Sequence, residues 1–444
     1  MQTDSPSADR PAPGDDGHGP SRTRVFLFLQ GPHGPFFAGL GRMLRQAGCG
    51  VLRVGFNAGD SAFWPDRASY VPYRGPVADW PEALEALVAA HGVTDIVLYG
   101  DTRPVHAAAV RLGKAQGLTV HVFEEGYLRP YWVTYERGGS NGHSRLMQMS
   151  LPEMECALAR AEAEPPMPPA HWGDMRQHIF YGALYHGFVL FMNRGYPQFR
   201  PHRDVPVSRE FAHYTRQMLT LPLTALRRRY ATRAIHKSGV PYHLALLQLD
   251  HDASFLAHSP FPDTLSFLGE VIAGFARGAP GHHHLVVKAH PLDSGRVPLR
   301  REIRALADRH GLAGRVHFIG GGKLARLLDH ARSAVTVNST AGQQVLWRGI
   351  PLRVFGRAVY AKPEFVTHQP LEAFFAAPAP PDARAYRVFR RYLLQTSQLP
   401  GGFYSRSGRG QLLRQVADRM LSPADPYDSA QPGSAAQGQQ LRAV

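Results

Sequence analysis

VFLFLQGPHGPFFAGLGRML, residues 25–44, decides the fold. Val25–Gln30 is an apolar, β-prone run with the length of a buried strand, and Gly31-Pro32-His33-Gly34 is a turn. Phe37, Leu40, Met43 and Leu44 then recur at helical spacing. Strand, glycine-containing turn and helix form the first half of a strand–helix–strand unit, and VLRVGF (51–56) supplies the second strand. The alternation continues. WPEALEALVAAHG predicts a helix ending at Gly92, DIVLYG (95–100) a strand, residues 105–116 a helix, and LTVHVF (118–123) a strand followed by Glu124-Glu125-Gly126. Such alternation predicts a parallel sheet covered by helices on both faces.

A second series starts near Tyr242. LALLQL, HHLVVKAH, VHFIG, SAVTVN and PLRVFG read as strands, with helices predicted over 264–277, 299–310, 323–331 and 342–348 between them. A long helix over 384–398 follows. Residues 152–239 differ: HIFYGALYHGFVLFMNRGY and LTLPLTALRRRYATRAIHK are aromatic, basic and helical, without strand alternation. The expected organisation is a disordered tail (1–22), an N-terminal Rossmann-like domain (23–150), a helical basic insertion (151–239), a C-terminal Rossmann-like domain (240–383), C-terminal helices (384–424) and a second disordered tail (425–444). The predicted fold class is α/β, two Rossmann-like domains facing a cleft, GT-B-like. Their strand C-termini would line one crevice. Sugar-nucleotide transferases and sugar-nucleotide epimerases both use that architecture, so it does not set the reaction.

The 444 residues suffice for two or three domains, and a composition 44% hydrophobic and 19% charged is globular. No apolar run reaches membrane-spanning length, and the N-terminus lacks the apolar core of a secretory signal, which predicts a cytoplasmic protein. Cys49 and Cys156 form neither a metal motif nor a disulfide framework. A formal charge of +15 suggests an acidic partner: nucleic acid, anionic lipid or a phosphorylated substrate. The arginines are spread along the chain, as an Arg-favouring GC-rich genome would also give. Nucleic acid is disfavoured, because the basic residues do not interleave with a recognised binding module.

Short islands at predicted strand ends carry the chemistry, and each has a plainer reading. The Gly31 turn lets backbone N–H groups approach an anion, or is simply a tight strand-to-helix turn. Adjacent Glu124 and Glu125 point in opposite directions, so one can face the cleft as general acid or base; a solvated acidic turn is the alternative. In Gln248-Leu249-Asp250-His251-Asp252, an Asp can attack an anomeric carbon or merely cap a helix, with Asp252 the first choice and Asp250 the second. Lys288-Ala289-His290-Pro291 offers charge and directed donors to a phosphate, against a buried, satisfied His. Asn338-Ser339-Thr340-Ala341-Gly342 is either a phosphate seat or an ordinary helix cap. The His282-His283-His284 run lacks acidic or Cys partners at helical spacing and reads as loop and strand start, not metal. Arg227, Arg228, Arg229 and Arg233, near Leu219, Leu221, Leu223 and Leu226, form either an amphipathic surface for anionic lipid or a solvated helix face.

The ordered set of motifs resembles the capsular polysaccharide Kdo transferase family, in particular its single-module branch. The stretches that carry the resemblance are residues 25–48, the Gly59-Asp60 and Phe63-Trp64 pattern, FEEGYLRP, LQLDHDASF, KAHPLD, VNSTAGQQVLWRGIPLRVFG and FYSRSG, spanning about 24–405. The Glu-Glu-Gly, His-Pro and Ser-Thr trio is also similar to bacterial sialyltransferases, which share a CMP-linked donor. The resemblance implies a retaining transferase that moves Kdo from CMP-Kdo to a phosphatidylglycerol lipid at the inner face of the inner membrane. No cofactor is expected, and no metal, because a CMP donor carries only one phosphate and no Asp-x-Asp is placed to bridge a diphosphate, although Asp250-x-Asp252 has that spacing. The resemblance also implies acceptor binding by the N-terminal domain and donor binding by the C-terminal one. Residue by residue, Asp252 (or Asp250) matches the nucleophile and Glu125 the acid/base. Lys288, His290 and Pro291, with Ser339 and Thr340 beside them, match the donor phosphate site, Gly31 joins the donor side, and Gln248 orients the sugar. Arg227, Arg228, Arg229 and Arg233 would meet the acceptor and membrane. Where relatives carry an acidic residue after a tyrosine, this chain has Ala361-Lys362-Pro363. The alternatives are another CMP-sugar transferase, sialyltransferase-like, and a non-catalytic partner of the capsule assembly or export machinery.

Overall fold

A computed structural model describes residues 23–159, 174–200, 206–249, 252–290, 293, 297–425 and 427–428. The strands are β1 (Val25–Phe28), β2 (Gly50–Gly55), β3 (Tyr70–Pro72), β4 (Asp95–Tyr99), β5 (Thr119–Glu125), β6 (Trp132–Arg137), β7 (Tyr242–Leu246), β8 (His284–Lys288), β9 (Val316–Ile319), β10 (Ala331–Thr336), β11 (Leu352–Val354) and β12 (Gln398–Pro400). The helices of the N-terminal half are α1 (Phe36–Gln46), α2 (Ala58–Ala62), α3 (Trp80–His91), α4 (Pro104–Gln116), α5 (Leu151–Leu158), α6 (Asp174–Met192) and α7 (Val207–Ser238). Those of the C-terminal half are α8 (Ala253–His258), α9 (Thr264–Gly278), α10 (Leu299–Arg309), α11 (Leu324–Leu328), α12 (Gly342–Trp347), α13 (Leu371–Ala376), α14 (Ala383–Gln395) and α15 (Arg406–Leu421).

Two sheets result, in the orders β12-β6-β5-β4-β1-β2-β3 and β11-β10-β7-β8-β9. The second is wholly parallel. The first is parallel from β3 to β5, and β6 and β12 run antiparallel at its far edge. Each sheet is buried on both faces. In the first, Phe26, Phe28, Phe123 and Tyr135 pack under α1 and α15, while Leu27, Ile96, Leu98 and Val122 pack under α3 and α4. In the second, Val287 and Leu285 meet α9 and α10, and Val286 and Leu244 meet α12 and α14. The fold is therefore α/β, with two Rossmann-like domains joined by a helical insertion. Strand order reverses between β1 and β4 in one sheet and between β7 and β10 in the other, and those switch points are where open α/β sheets take ligands.

Three strands escape the sequence reading. β3 and β12 are three residues each, too short for a periodic signal, and β6 follows β5 directly as an antiparallel partner. β12 pairs with β6, and α15 packs on α1, so the chain's end returns to complete the N-terminal domain. Ordered structure also runs past Asp425: Tyr427 is buried and stacks on Tyr392 at 6.1 Å.

The domains are clamped to each other. Tyr127, Leu128 and Leu146 share one apolar cluster with Leu244, Tyr360 and Phe389. Lys362 Nζ donates to the carbonyls of Leu146 (2.7 Å) and Met149 (2.7 Å), and Arg357 donates to the carbonyl of Gly142 (2.7 Å). The departure at Lys362 thus serves domain contact.

Candidate active site

The strand β5 runs on through Glu124 and Glu125, paired with Thr134 and Val133 of β6, rather than stopping at Phe123. Side chains alternate along a strand, so the two carboxylates leave on opposite faces. Glu125 lies on the α1 side and accepts from the Tyr99 hydroxyl (3.2 Å). Glu124 lies on the α4 side, beside Gly100, with one oxygen accepting the Glu125 N–H (3.1 Å). Burial, and then the negative charge of Asp252, push its pKa up to about 8. Of the two adjacent glutamates, Glu124 is the one on which the charge of Asp252 acts. Gly126 has a separate cause: a Cβ there would lie 2.2 Å from the Trp132 carbonyl oxygen, so the β5–β6 connection admits only glycine.

Further acids surround this edge. Asp101, buried, accepts from the Ser140 N–H (2.9 Å) and pairs with His143 Nδ1 (3.1 Å). Glu136 accepts from the Tyr127 hydroxyl (2.6 Å) and from Ser144, and burial pushes it up to about 7. His143 reaches across to His258 of α8, ring to ring at 4.8 Å. The sequence reading missed Asp101, His143 and His258; none sits in a motif, and only the topology brings them together.

Asp252 comes from the opposite domain, in the loop after β7. Its N–H donates to the Leu249 carbonyl (2.9 Å) and its carbonyl accepts from Leu256, opening α8. Asp250 and Pro291 lie outside the described residues. Gln248 spans the switch point: its Oε1 accepts the Asn338 N–H (3.1 Å), tying the end of β7 to the end of β10. That bond gives Gln248 a structural task.

Lys288 ends β8, buried, and its ammonium contacts only the Ala289 carbonyl (3.4 Å) among the hydrogen bonds of the described residues. Burial, and then the like charge of Arg228, lower its pKa to about 8. Arg228 was expected on the outer basic surface. Instead it turns inward from α7, half-buried, and Nε donates to the Gly320 carbonyl (2.7 Å) at the end of β9. The reason is its phase on α7, which packs that side against β9. Arg227, Arg229 and Arg233 stay exposed. Two cations thus converge on the strand ends of the second sheet, and His290 follows Lys288 there, its carbonyl accepting from Asp293 N–H (3.0 Å). Ser339 is buried and its hydroxyl accepts the Ala341 N–H (3.3 Å), a local turn bond; Thr340 is half-buried beside it.

Gly31 is explained by packing, since a Cβ would lie 2.5 Å from the Phe37 ring. The turn is roofed by α6: His33 stacks on Tyr185 at 4.4 Å, and Gly34 faces Tyr181. The Gly59-Asp60 pattern is structural too. Asp60 accepts from Gln30, Arg53 and the Phe56 N–H, and from Tyr185 of α6. Among the described residues no group of His, Cys, Asp and Glu could hold a metal ion.

A family described as "Capsule polysaccharide biosynthesis protein" matches residues 94–404. The "Capsule polysaccharide export protein KpsS" of Escherichia coli is 32% identical over 386 residues, 86% of this chain and 97% of that protein. The "Capsule polysaccharide modification protein LipB" of Neisseria meningitidis serogroup A is 33% identical over 392 residues, 85% of this chain and 91% of that protein. Among solved structures, the β-Kdo 2,7 transferase of Thermosulfurimonas dismutans KpsC aligns with TM-score 0.40 and 14% identity over 82% of this chain and 89% of that one. On the length of the family match and the coverage of both relatives, this chain belongs to the capsule polysaccharide biosynthesis protein family.

Proposed function

We propose that the protein is a retaining β-Kdo glycosyltransferase that moves Kdo from CMP-Kdo to a phosphatidylglycerol lipid and so starts the linker of a capsular polysaccharide. The observation that carries this reading is the approach of α8, which Asp252 opens, to the acidic edge of the first sheet, where His258 and His143 lie ring to ring at 4.8 Å, with Lys288 and Arg228 at the strand ends of the second sheet.

The residues divide the work by sign. A buried ammonium at a strand end suits the single phosphate of a CMP-sugar, with Arg228 and His290 beside it, and binding the anion would restore full charge to Lys288. Asp252, ionised, attacks the anomeric carbon; the bond to the phosphate breaks, and CMP leaves with the proton that Glu124 carries. Asp252 is then an ester and no longer raises the pKa of Glu124, which becomes a carboxylate. In that form it takes the proton of the acceptor hydroxyl as the acceptor attacks, Asp252 is released, and Glu124 is protonated again. Two inversions give retention. No cofactor enters this scheme.

Purified protein, CMP-Kdo and a short-chain phosphatidylglycerol should yield CMP and a glycolipid carrying one added Kdo mass. CMP release with CMP-sialic acid but not CMP-Kdo would move the assignment to another CMP-sugar transferase. No turnover with any CMP-sugar, together with retained binding to a capsule-export subunit, would leave a non-catalytic partner.

A further inference from the structure

Helix α7 exposes Leu219, Leu223, Leu226 and Tyr230, the first to 73% and the last to 67% of its surface. Steps of four, three and four residues place them on one stripe, about 17 Å long at 1.5 Å per residue. At 100° per residue, Arg216 and Arg227 lie roughly 50–70° to one side of the stripe and Arg229 and Arg233 roughly 50–90° to the other, while Arg228 lies almost opposite. The opposite side is where α7 meets Gly320, so the phase is fixed by packing and the stripe faces away from the protein. Residues 211–238 contain six Lys and Arg and no Asp or Glu. Helix α6 carries a second exposed row, Phe180, Leu184 and Phe191, and Phe191 meets Phe211 of α7 edge-on at 5.8 Å.

A monomeric soluble protein rarely leaves such apolar surface to water. Its rim is cationic on both sides, which fits a surface dense in anions. It opposes a second copy of this chain, because two-fold pairing of the stripe would face arginine with arginine. No helix among the described residues is long and apolar enough to cross a membrane. We propose that α7 docks flat on an anionic lipid bilayer, with Leu219, Leu223, Leu226 and Tyr230 at the headgroup–acyl boundary and Arg216, Arg227, Arg229 and Arg233 on lipid phosphates. The surface stands on exposure and phase, independent of any reaction in the cleft.

The test is flotation of the full chain with vesicles of phosphatidylcholine alone and of phosphatidylcholine with about one-third phosphatidylglycerol, without CMP-sugar. Binding should require the anionic lipid and fall steeply at about 0.5 M salt. Arg227→Gln, Arg229→Gln and Arg233→Gln together should weaken it about a hundredfold, at about fivefold per cation. Leu223→Asp with Leu226→Asp should abolish it, and far-UV circular dichroism melts of both variants should match the parent. Equal binding to neutral vesicles, or undiminished binding by the arginine variant, would overturn the proposal. So would a concentration-dependent dimer in lipid-free sedimentation that the Leu→Asp pair dissolves. Because no donor is present, failure here leaves the transferase reading untouched, and failure of that reading leaves this one.

Discussion

The two sheets offer their ligand edges with opposite charge. The N-terminal edge holds Asp101, Glu124 and Glu125, with Glu136 behind them, whereas the C-terminal edge holds Lys288, Arg228 and His290. Two acids of the C-terminal domain stand among these groups: Asp293, whose N–H donates to the His290 carbonyl, and Asp252, whose charge acts on Glu124 of the acidic side. The difference teaches how a symmetric architecture becomes a directional site. One edge is suited to holding an anion and the other to holding a proton.

The strongest way to break that division is at the carboxylates. Asp252→Ala and Glu124→Gln should each lower CMP release about a thousandfold or more, whereas Glu125→Gln, whose partner is Tyr99, should cost less than about tenfold. Full activity in Glu124→Gln with loss in Glu125→Gln would restore the motif's first reading and separate the proton shuttle from Asp252.

The cationic side should respond in binding rather than chemistry. Lys288→Gln should raise KM for the CMP-sugar about 10–100-fold, and Arg228→Gln about fivefold, since Arg228 is already engaged with Gly320. If Lys288→Gln lowers kcat and leaves KM alone, the lysine acts on the departing phosphate only in the transition state.

How far the sequence announces this site depends on what kind of signal each part emits. Long buried strands and amphipathic helices carry their period openly, so β1, β4, β5, β7, β8 and β10 are legible; β3, β6 and β12 are short or edge elements whose place is set by pairing. The motifs likewise reveal which islands lie at strand ends, because turn and cap chemistry is local. They do not reveal which of two adjacent glutamates faces the opposite domain, because that depends on where β5 ends, and β6 extends it by two residues. Arg228 is hidden for a similar reason. In a run of three arginines only the helix's packing phase separates the inward residue from its neighbours.

pH offers a finer test of the same contrast. Glu124 is protonated and Lys288 charged below about 8, and both conditions are lost above it, so the first step should slow as pH rises through about 8. Stability carries the matching sign. A carboxyl whose folded pKa is raised holds its proton after the unfolded chain has released it, so stability falls as pH rises from the ordinary carboxylate range to about 8 and then levels off. Glu124→Gln removes that contribution. Urea unfolding at pH 5 and pH 9 should therefore show the variant gaining stability relative to the parent as pH rises, with Glu136 common to both; a constant difference would mean that Glu124 titrates normally.

The smallest effect separates two buried lysines of the same domain. Lys288 has its ammonium at the strand ends with one long bond to a carbonyl, whereas Lys362 spends its protons on Leu146 and Met149 across the domain boundary. A lysine already satisfied by backbone oxygens has little left for a ligand, and its removal strands those carbonyls in a buried seam. Burial lowers the pKa of Lys362, so part of the gain from these bonds is offset by the cost of hiding the charge. Lys362→Met should therefore cost about 1–2 kcal/mol of stability in denaturant melts and leave the KM for the CMP-sugar unchanged, the reverse of Lys288→Gln. If Lys362→Met instead raises KM without lowering stability, the seam between the domains is part of the donor site, and the cationic edge reaches further than β8 and α7.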